Sequence, residues 1–329
     1  MGLNKKILIT GATGFIGSHL VEKCIENGYQ VVSFDRYNSN NDWGWLENSK
    51  HRKDLRVILG DIRDYDSVNK AMTNCSAVFH LAALIGIPYS YQSPLAYIRT
   101  NIEGTYNILE SSKVLGIDQI LITSTSETYG SAQYVPIDEL HPLVGQSPYS
   151  ASKIAADQLA VSYYRSFNLP VKIVRPFNTY GPRQSARAII PTIISQIIAG
   201  KEEIELGNLS PTRDLTYVED TCQGFLDIYN SKKLYGEVTN IGTNSEISIE
   251  SLAELIIKTM KTDKSISISK NRVRPVQSEV DRLVCDNSKL IKNTPWKQKI
   301  KLEDGIKKVI DWMKNPVNNK KYKSKQYNI

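Results

Sequence analysis

No apolar run in the 329-residue sequence approaches the ~18 residues that suggest a membrane span, and neither an internal repeat nor a low-complexity linker appears. A helical membrane protein and a repeat solenoid are therefore not expected. Cysteine is scarce: Cys24, Cys75, Cys222 and Cys285 lie far apart with no CxxC, which speaks against a disulfide framework. Histidine is equally scarce, and His19, His51, His80 and His141 do not meet the cysteines at metal-ligand spacing, so reduced thiols and no metal are expected. The apolar stretch "KILIT" begins only a few residues after Met1, which suggests a cytoplasmic protein.

Acidic residues are rare in one region only. From Lys289 onward there are twelve Lys against Glu303, Asp304 and Asp311, so the formal charge of +7 resides at the C-terminal end and the rest of the chain is slightly acidic. No structured basic face with aromatic support accompanies that charge, so a solvated tail is expected rather than a nucleic-acid partner. A hydrophobic fraction of 41% and a charged fraction of 23% are ordinary for a globular chain.

What is present is alternation. Short apolar runs at 6–10, 30–35, 56–61, 77–82, 119–125 and 171–176 read as strands, separated by helical patterns such as Phe15 to Glu26 and Tyr97 to Val114. Such alternation indicates βαβ units and an α/β fold with a Rossmann, doubly wound parallel sheet. Beyond Arg175 the pattern becomes irregular, broken by Pro176, Pro182, Pro191 and Pro211, with helices expected at about 189–199, 249–261 and 302–314. We read residues 1–176 as a dinucleotide-binding domain with a return at about 218–244. Residues 177–217 and 245–329 form a smaller mixed α/β substrate domain over the carboxyl ends of the strands.

"ITGATGFIGSHL" follows the first strand and opens a helix, with glycines at 11, 14 and 17. A dinucleotide pyrophosphate needs close backbone approach and free helix N-H groups, which this arrangement supplies, although glycines also mark ordinary tight turns. Asp35 ends the second strand 18 residues after Gly17, where a carboxylate accepts from adenosine ribose hydroxyls and repels a 2'-phosphate. NAD is therefore favoured, with NADP kept open by the neighbouring Arg36. Asp61 at the end of the third strand is read either as an acceptor for the adenine amino group or as a turn former.

"SPYSASK" places Tyr149 and Lys153 four residues apart on a helix, hence on one face. A phenol with an ordinary pKa of ~10 needs an adjacent ammonium to act as a base near neutrality, and a three-unit shift corresponds to about 4 kcal/mol. By itself the spacing also fits a surface helix pair. "LITSTSETYG" adds hydroxyl groups and one carboxylate, Glu127, after the fifth strand.

The ordered series "GATGFIGSHL", "HLAA", "TNIEGTYN", "STSETYG", "SPYSASK", "RPFNTYGPR" and "RDLTYVED" resembles the extended short-chain dehydrogenase/reductase family over nearly the whole chain. The resemblance implies NAD held by Gly11, Thr13, Gly14, Phe15, Ile16, Gly17, Asp35, Arg36, Asp61, Ile62, Leu81, Ala82, Ala83, Thr100, Tyr149, Lys153 and Pro176. It implies a nucleotide-sugar substrate and a triad in which Tyr149 removes a sugar hydroxyl proton, Thr125 holds that oxygen and Lys153 grips the nicotinamide ribose.

"STSE-x-YG" is similar to 4,6-dehydratases, whose Glu removes the C5 proton once C4 is a ketone, so the resemblance makes Glu127 that base; acceptance of backbone hydrogen bonds at a turn is the alternative role. Ser126 stands where the glucose dehydratases carry Asp. The longer run through "RQSARAIIPTII" resembles dehydratases of nucleotide-activated N-acetylglucosamine that open legionaminic acid and other amino-deoxysugar pathways, on UDP or GDP sugars. Asn178, Arg213 and Arg282 would meet the diphosphate, Arg187 and Arg274 are further candidates, and "ARAIIP" with Ile190 would line the base pocket. A 4-epimerase, a UDP-glucuronate decarboxylase and a non-catalytic dinucleotide sensor remain alternatives. Family members commonly dimerise through a four-helix bundle, and the apolar double faces around 97–114 and 149–164 fit a homodimer.

Overall fold

Runs such as "KILIT" and "QILIT" are apolar on both faces, which suits strands covered by helices on either side. In the computed structural model, which describes residues 5–322 except Arg274, they form β1 (Lys6–Thr10), β2 (Gln30–Arg36), β3 (Arg56–Gly60), β4 (Ala77–His80), β5 (Gln119–Thr123) and β6 (Val171–Pro176). With the strand Val238–Ile241 they make a seven-stranded sheet in the order Val238–Ile241, β6, β5, β4, β1, β2, β3. Every pairing in it is parallel.

The order reverses between β1 and its neighbours β2 and β4, and the crevice outside that switch point is where such sheets hold ligands. Register brings the relevant strand ends together: Thr10 lies opposite Phe34 on one side and His80 on the other. Strands β4 and β5 are shorter than their apolar runs, because the chain leaves the sheet after His80 and Thr123 to build loops over this crevice.

Helices Phe15–Glu26 and Val218–Asn230 belong to one side of the sheet, and Tyr65–Met72, Gly104–Leu115 and Pro148–Phe167 to the other. The first core also takes in the smaller region, with helices Ile189–Ile198, Ile249–Thr259 and Leu302–Lys314. Short pairings complete that region: Asn178–Tyr180 with Leu215–Tyr217, Glu203–Leu206 with Ser265–Ile268, and Thr212–Arg213 between Ile247–Ser248 and Arg282–Leu283. Among the described residues no helix is long and apolar enough to cross a membrane.

The segment around 97–114, expected as one helix, is helical Pro94–Tyr97, a π-helical stretch Ile98–Glu103 and then helix Gly104–Leu115. The wider π turn accommodates a buried Asn101 that bonds outside its own helix. Its Nδ2 donates to the Leu84 carbonyl and to Ser152 Oγ, both at 2.9 Å, and its Oδ1 accepts from Leu84 N at 2.8 Å. The helix, its neighbour and the loop after β4 are thereby locked together.

Candidate active site

At the amino end of helix Phe15–Glu26 no side chain caps the first turn and no acidic residue enters it, so N-H groups are left for an anion. Gly11 has a φ of +68°, and a Cβ there would stand 2.9 Å from Ala82 N. A Cβ on Gly17 would stand 2.1 Å from the Gly11 carbonyl oxygen, whereas one on Gly14 would be 3.3 Å from the same oxygen. Gly11 and Gly17 are thus needed for the turn itself, and Gly14 leaves its surface bare. Asp35 Oδ2 accepts from Thr13 N at 2.8 Å and Thr13 Oγ1 at 2.6 Å, and Oδ1 accepts from Arg36 N at 2.7 Å. The carboxylate is fixed beside the glycine turn with acceptor capacity remaining. A bare anion-binding turn with a held carboxylate at the next strand end fits NAD.

Of the other expected cofactor residues, Leu81 and Ala82 lie directly against this turn. Thr10 Oγ1 accepts from Leu81 N and Ala82 N, which lead into Ala83, and it bonds His80 Nδ1 at 2.8 Å. His80 Nε2 meets Thr105 Oγ1 at 3.1 Å, and burial holds this imidazole down to about 3. Phe15 and Ile16 are partly buried on the first core, Ile62 packs against Gly104, Thr100 lies half-buried in the π stretch, and Pro176 closes β6 beside Ile241. Asp61 accepts from Arg63 N at 2.9 Å and holds the Arg63 guanidinium in an ion pair that keeps its carboxyl below the usual range.

The hydroxyl-rich run after β5 folds into a short 3-10 turn, Ser126–Tyr129, with Thr125 Oγ1 accepting from Glu127 N at 3.3 Å. Tyr149 and Lys153 emerge from helix Pro148–Phe167, whose start is fixed by a capping box between Ser147 and Ser150. Burial pushes the Tyr149 phenol well above its ordinary 10; a hydrogen bond with Thr125 opposes this and the Glu127 charge reinforces it. Thr125, Glu127 and Tyr149 are therefore brought together. Among the described residues no side chain or backbone group bonds the Glu127 carboxylate. Ser126 is buried beside it in the chain, at 3% exposure.

Lys153 is buried and donates to the Thr123 carbonyl at 2.6 Å, and burial lowers its pKa. Behind it lies a group that motif reading missed. Asp157 Oδ2 accepts from Ser124 Oγ at 2.5 Å and Arg175 Nη2 at 2.7 Å, and Arg175 Nε reaches Ser124 Oγ at 3.1 Å. The Arg175 guanidinium lies 4.6 Å from the centre of the Tyr129 ring. Asp157 Oδ1 is buried without a hydrogen-bond partner. The available signal was spacing, since Tyr149, Lys153 and Asp157 recur every four residues on one helix face. Tyr97, also missed, stacks edge-on with Tyr149 at 6.2 Å and donates to the Gly86 carbonyl at 2.5 Å.

The expected substrate residues divide. Asn178 Oδ1 is buried without a partner, an acceptor in need of a donor. Arg187 lies against Gly86 and Tyr97. Arg213 is buried and paired with Glu279, and exposed Arg282 grips Glu246 through Nε at 2.9 and 3.0 Å. A diphosphate would have to share these cations. Ile190, expected in a base pocket, is packed in the main core at 1% exposure, because its helix turns Ile189 rather than Ile190 toward the partly open side. Arg274 lies outside the described residues.

A family model described as GDP-mannose 4,6 dehydratase matches residues 8–309. A putative UDP-glucose 4-epimerase of Methanocaldococcus jannaschii is 34% identical over 314 residues, covering 94% of this chain and 98% of that protein. The dTDP-D-glucose 4,6-dehydratase of Homo sapiens is 30% identical over 327 residues, covering 97% and 92%. The structure of DesIV, a dTDP-glucose 4,6-dehydratase from Streptomyces venezuelae with NAD bound, aligns with a TM-score of 0.87 at 26% identity, over 94% of this chain and 97% of that one.

Proposed function

The chain belongs to the GDP-mannose 4,6-dehydratase family, and from that premise we propose that it is an NAD-dependent nucleotide-sugar 4,6-dehydratase acting on UDP-N-acetylglucosamine. The observation that carries the reading is Glu127: a carboxylate free of hydrogen bonds and ion pairs among the described residues, electrostatically coupled to Tyr149. Epimerisation at C4 has no use for a second base, whereas elimination of water across C5 and C6 requires one.

The cofactor would be held by the turn of Gly11, Gly14 and Gly17, by Asp35 and by Lys153. Bound NAD supplies the redox chemistry, oxidising C4 and later reducing C6. Tyr149 takes the C4 hydroxyl proton while Thr125 holds that oxygen, and the Lys153 ammonium favours the phenolate. The resulting ketone acidifies C5, Glu127 removes that proton, and hydroxide leaves C6 as water once protonated. Glu127, having gained the proton, can return it to the departing hydroxyl, with Ser126 Oγ available to relay one from water; the enolate left by reduction at C6 then takes a solvent-derived proton at C5. The N-acetylglucosamine choice rests on the "STSETYG" to "ARAIIPTII" resemblance.

A homodimer is part of the same reading. Leu95, Ile98, Val114 and Phe167 are exposed apolar residues on the segments Pro94–Leu115 and Pro148–Phe167.

Incubation of the NAD-loaded enzyme with UDP-N-acetylglucosamine in D2O tests the function. A product lighter by one water and carrying deuterium at C5 is expected. Formation of the galacto epimer alone, without loss of water, would establish epimerisation instead.

A further inference from the structure

Two loops converge beside Tyr149 at a point the reaction has not yet used. One leaves β4 and passes through buried Gly86 before helix Ile87–Gln92; the other, residues 181–188, precedes helix Ile189–Ile198 and carries Arg187. A Cβ on Gly86 would lie 2.2 Å from Arg187 Nη1, 3.3 Å from its Cζ and 3.5 Å from Tyr97 Oη. The guanidinium thus occupies the volume that any other residue at 86 would fill. The Tyr97 hydroxyl borders the same volume, and its ring packs edge-on against Tyr149.

Arg187 also differs in its bonding from the other candidate cations. Arg213 and Arg282 have carboxylate partners in Glu279 and Glu246. Among the described residues no carboxylate pairs with Arg187; its Nε bonds Ser185 Oγ at 3.3 Å, and Tyr97 commits its hydroxyl proton to the Gly86 carbonyl. A guanidinium only donates, and a half-buried one with N-H groups to spare favours a ligand group that only accepts. Sugar hydroxyls donate and accept alike, whereas an acetamido carbonyl only accepts.

We propose that Arg187, seated on Gly86, is a specificity-determining residue that binds the acetamido carbonyl of the hexose rather than the diphosphate. The inference rests on the proposed nucleotide-sugar dehydratase reading and assigns that substrate's ring substituent. The Gly86–Arg187 pair supplies its own control. An added methyl at 86 meets the flexible end of a side chain, so Gly86→Ala displaces the guanidinium while leaving the backbone undisturbed.

The test is calorimetric binding of UDP-N-acetylglucosamine, UDP-glucose and UDP to NAD-loaded wild type, Arg187→Gln and Gly86→Ala. Both variants are expected to weaken UDP-N-acetylglucosamine by about tenfold or more, the size of a charge-assisted hydrogen bond, with UDP binding unaltered and UDP-glucose affected less. Equal weakening of UDP and UDP-N-acetylglucosamine would assign Arg187 to the diphosphate and overturn the inference. Unchanged affinity for all three in Arg187→Gln would also overturn it. Failure of the wild type to bind UDP-N-acetylglucosamine would instead count against the proposed substrate.

Discussion

Asp157 and Arg175 form an ion pair at 2.7 Å in which each side chain is 1% exposed. Removing one partner of such a pair leaves an uncompensated buried charge, which costs about 3–5 kcal/mol. Asp157→Asn is expected to lower the free energy of urea unfolding by that order. The loss should be smaller in a double variant that also replaces Arg175 by Met. Equal losses in the single and double variants would show that the pair is not the source.

Glu127→Gln preserves shape and removes the base. Dehydration is expected to fall by about 10²–10⁴-fold, the usual contribution of a positioned acid or base, with NAD and UDP binding retained. Mass analysis for loss of water, beside calorimetry with each ligand, checks both halves.

Asp35→Ala removes the acceptor beside the glycine turn and the anchor of Thr13 N and Oγ1. NAD affinity is expected to fall, and discrimination against NADP to relax, because the 2'-phosphate no longer meets like charge. Fluorescence titration with both dinucleotides reads this directly.

Gly17→Ala puts a methyl 2.1 Å from the Gly11 carbonyl oxygen, a backbone atom that cannot step aside. Expected are a stability loss of about 1–3 kcal/mol and loss of NAD binding. Gly14→Ala, with 3.3 Å to the same oxygen, is expected to keep the fold and still impair NAD, since the methyl covers the bare surface of the turn. Thermal melts with and without NAD separate the two variants.

Buried His80 and half-buried His19 set an acid limit. Burial holds His80 down to about 3, aided by the Lys153 charge, and holds His19 down to about 4, aided by Arg183. Their folded values lie below the ordinary 6.5, so the unfolded chain binds more protons between those values. The stability they confer is complete above pH 6.5 and is lost as the pH falls toward the folded values, by up to about 1.4 kcal/mol per unit for each. Urea midpoints at pH 7 and pH 5 should show the decline, and His80→Gln should flatten it.

The sheet was legible in the sequence because its strands are short apolar runs with helical patterns between them, and because the glycine turn follows the first run directly. Helices Phe15–Glu26 and Leu302–Lys314 fall where periodicity places them. Periodicity alone could not find the π stretch Ile98–Glu103, since it depends on bonds from Asn101 to Leu84 and Ser152, one of them 51 residues away. Nor could it orient Ile190 on an apolar helix whose two sides read alike.

For the site, the sequence by itself determined the chemical parts: a carboxylate and hydroxyls after β5, a Tyr and a Lys one helical turn apart, and an acid at the end of β2. These are local, fixed by spacing along one element. Tertiary structure decided which groups are free and which are bound. Among the described residues none bonds or pairs with the Glu127 carboxylate, while Arg213 and Arg282 face Glu279 and Glu246 across separate segments. Only the convergence of two distant loops seats Arg187 on Gly86. A side chain's partners are set by what packs against it, and for Asp157 and Arg187 those neighbours, Arg175 and Gly86, lie 18 and 101 residues away.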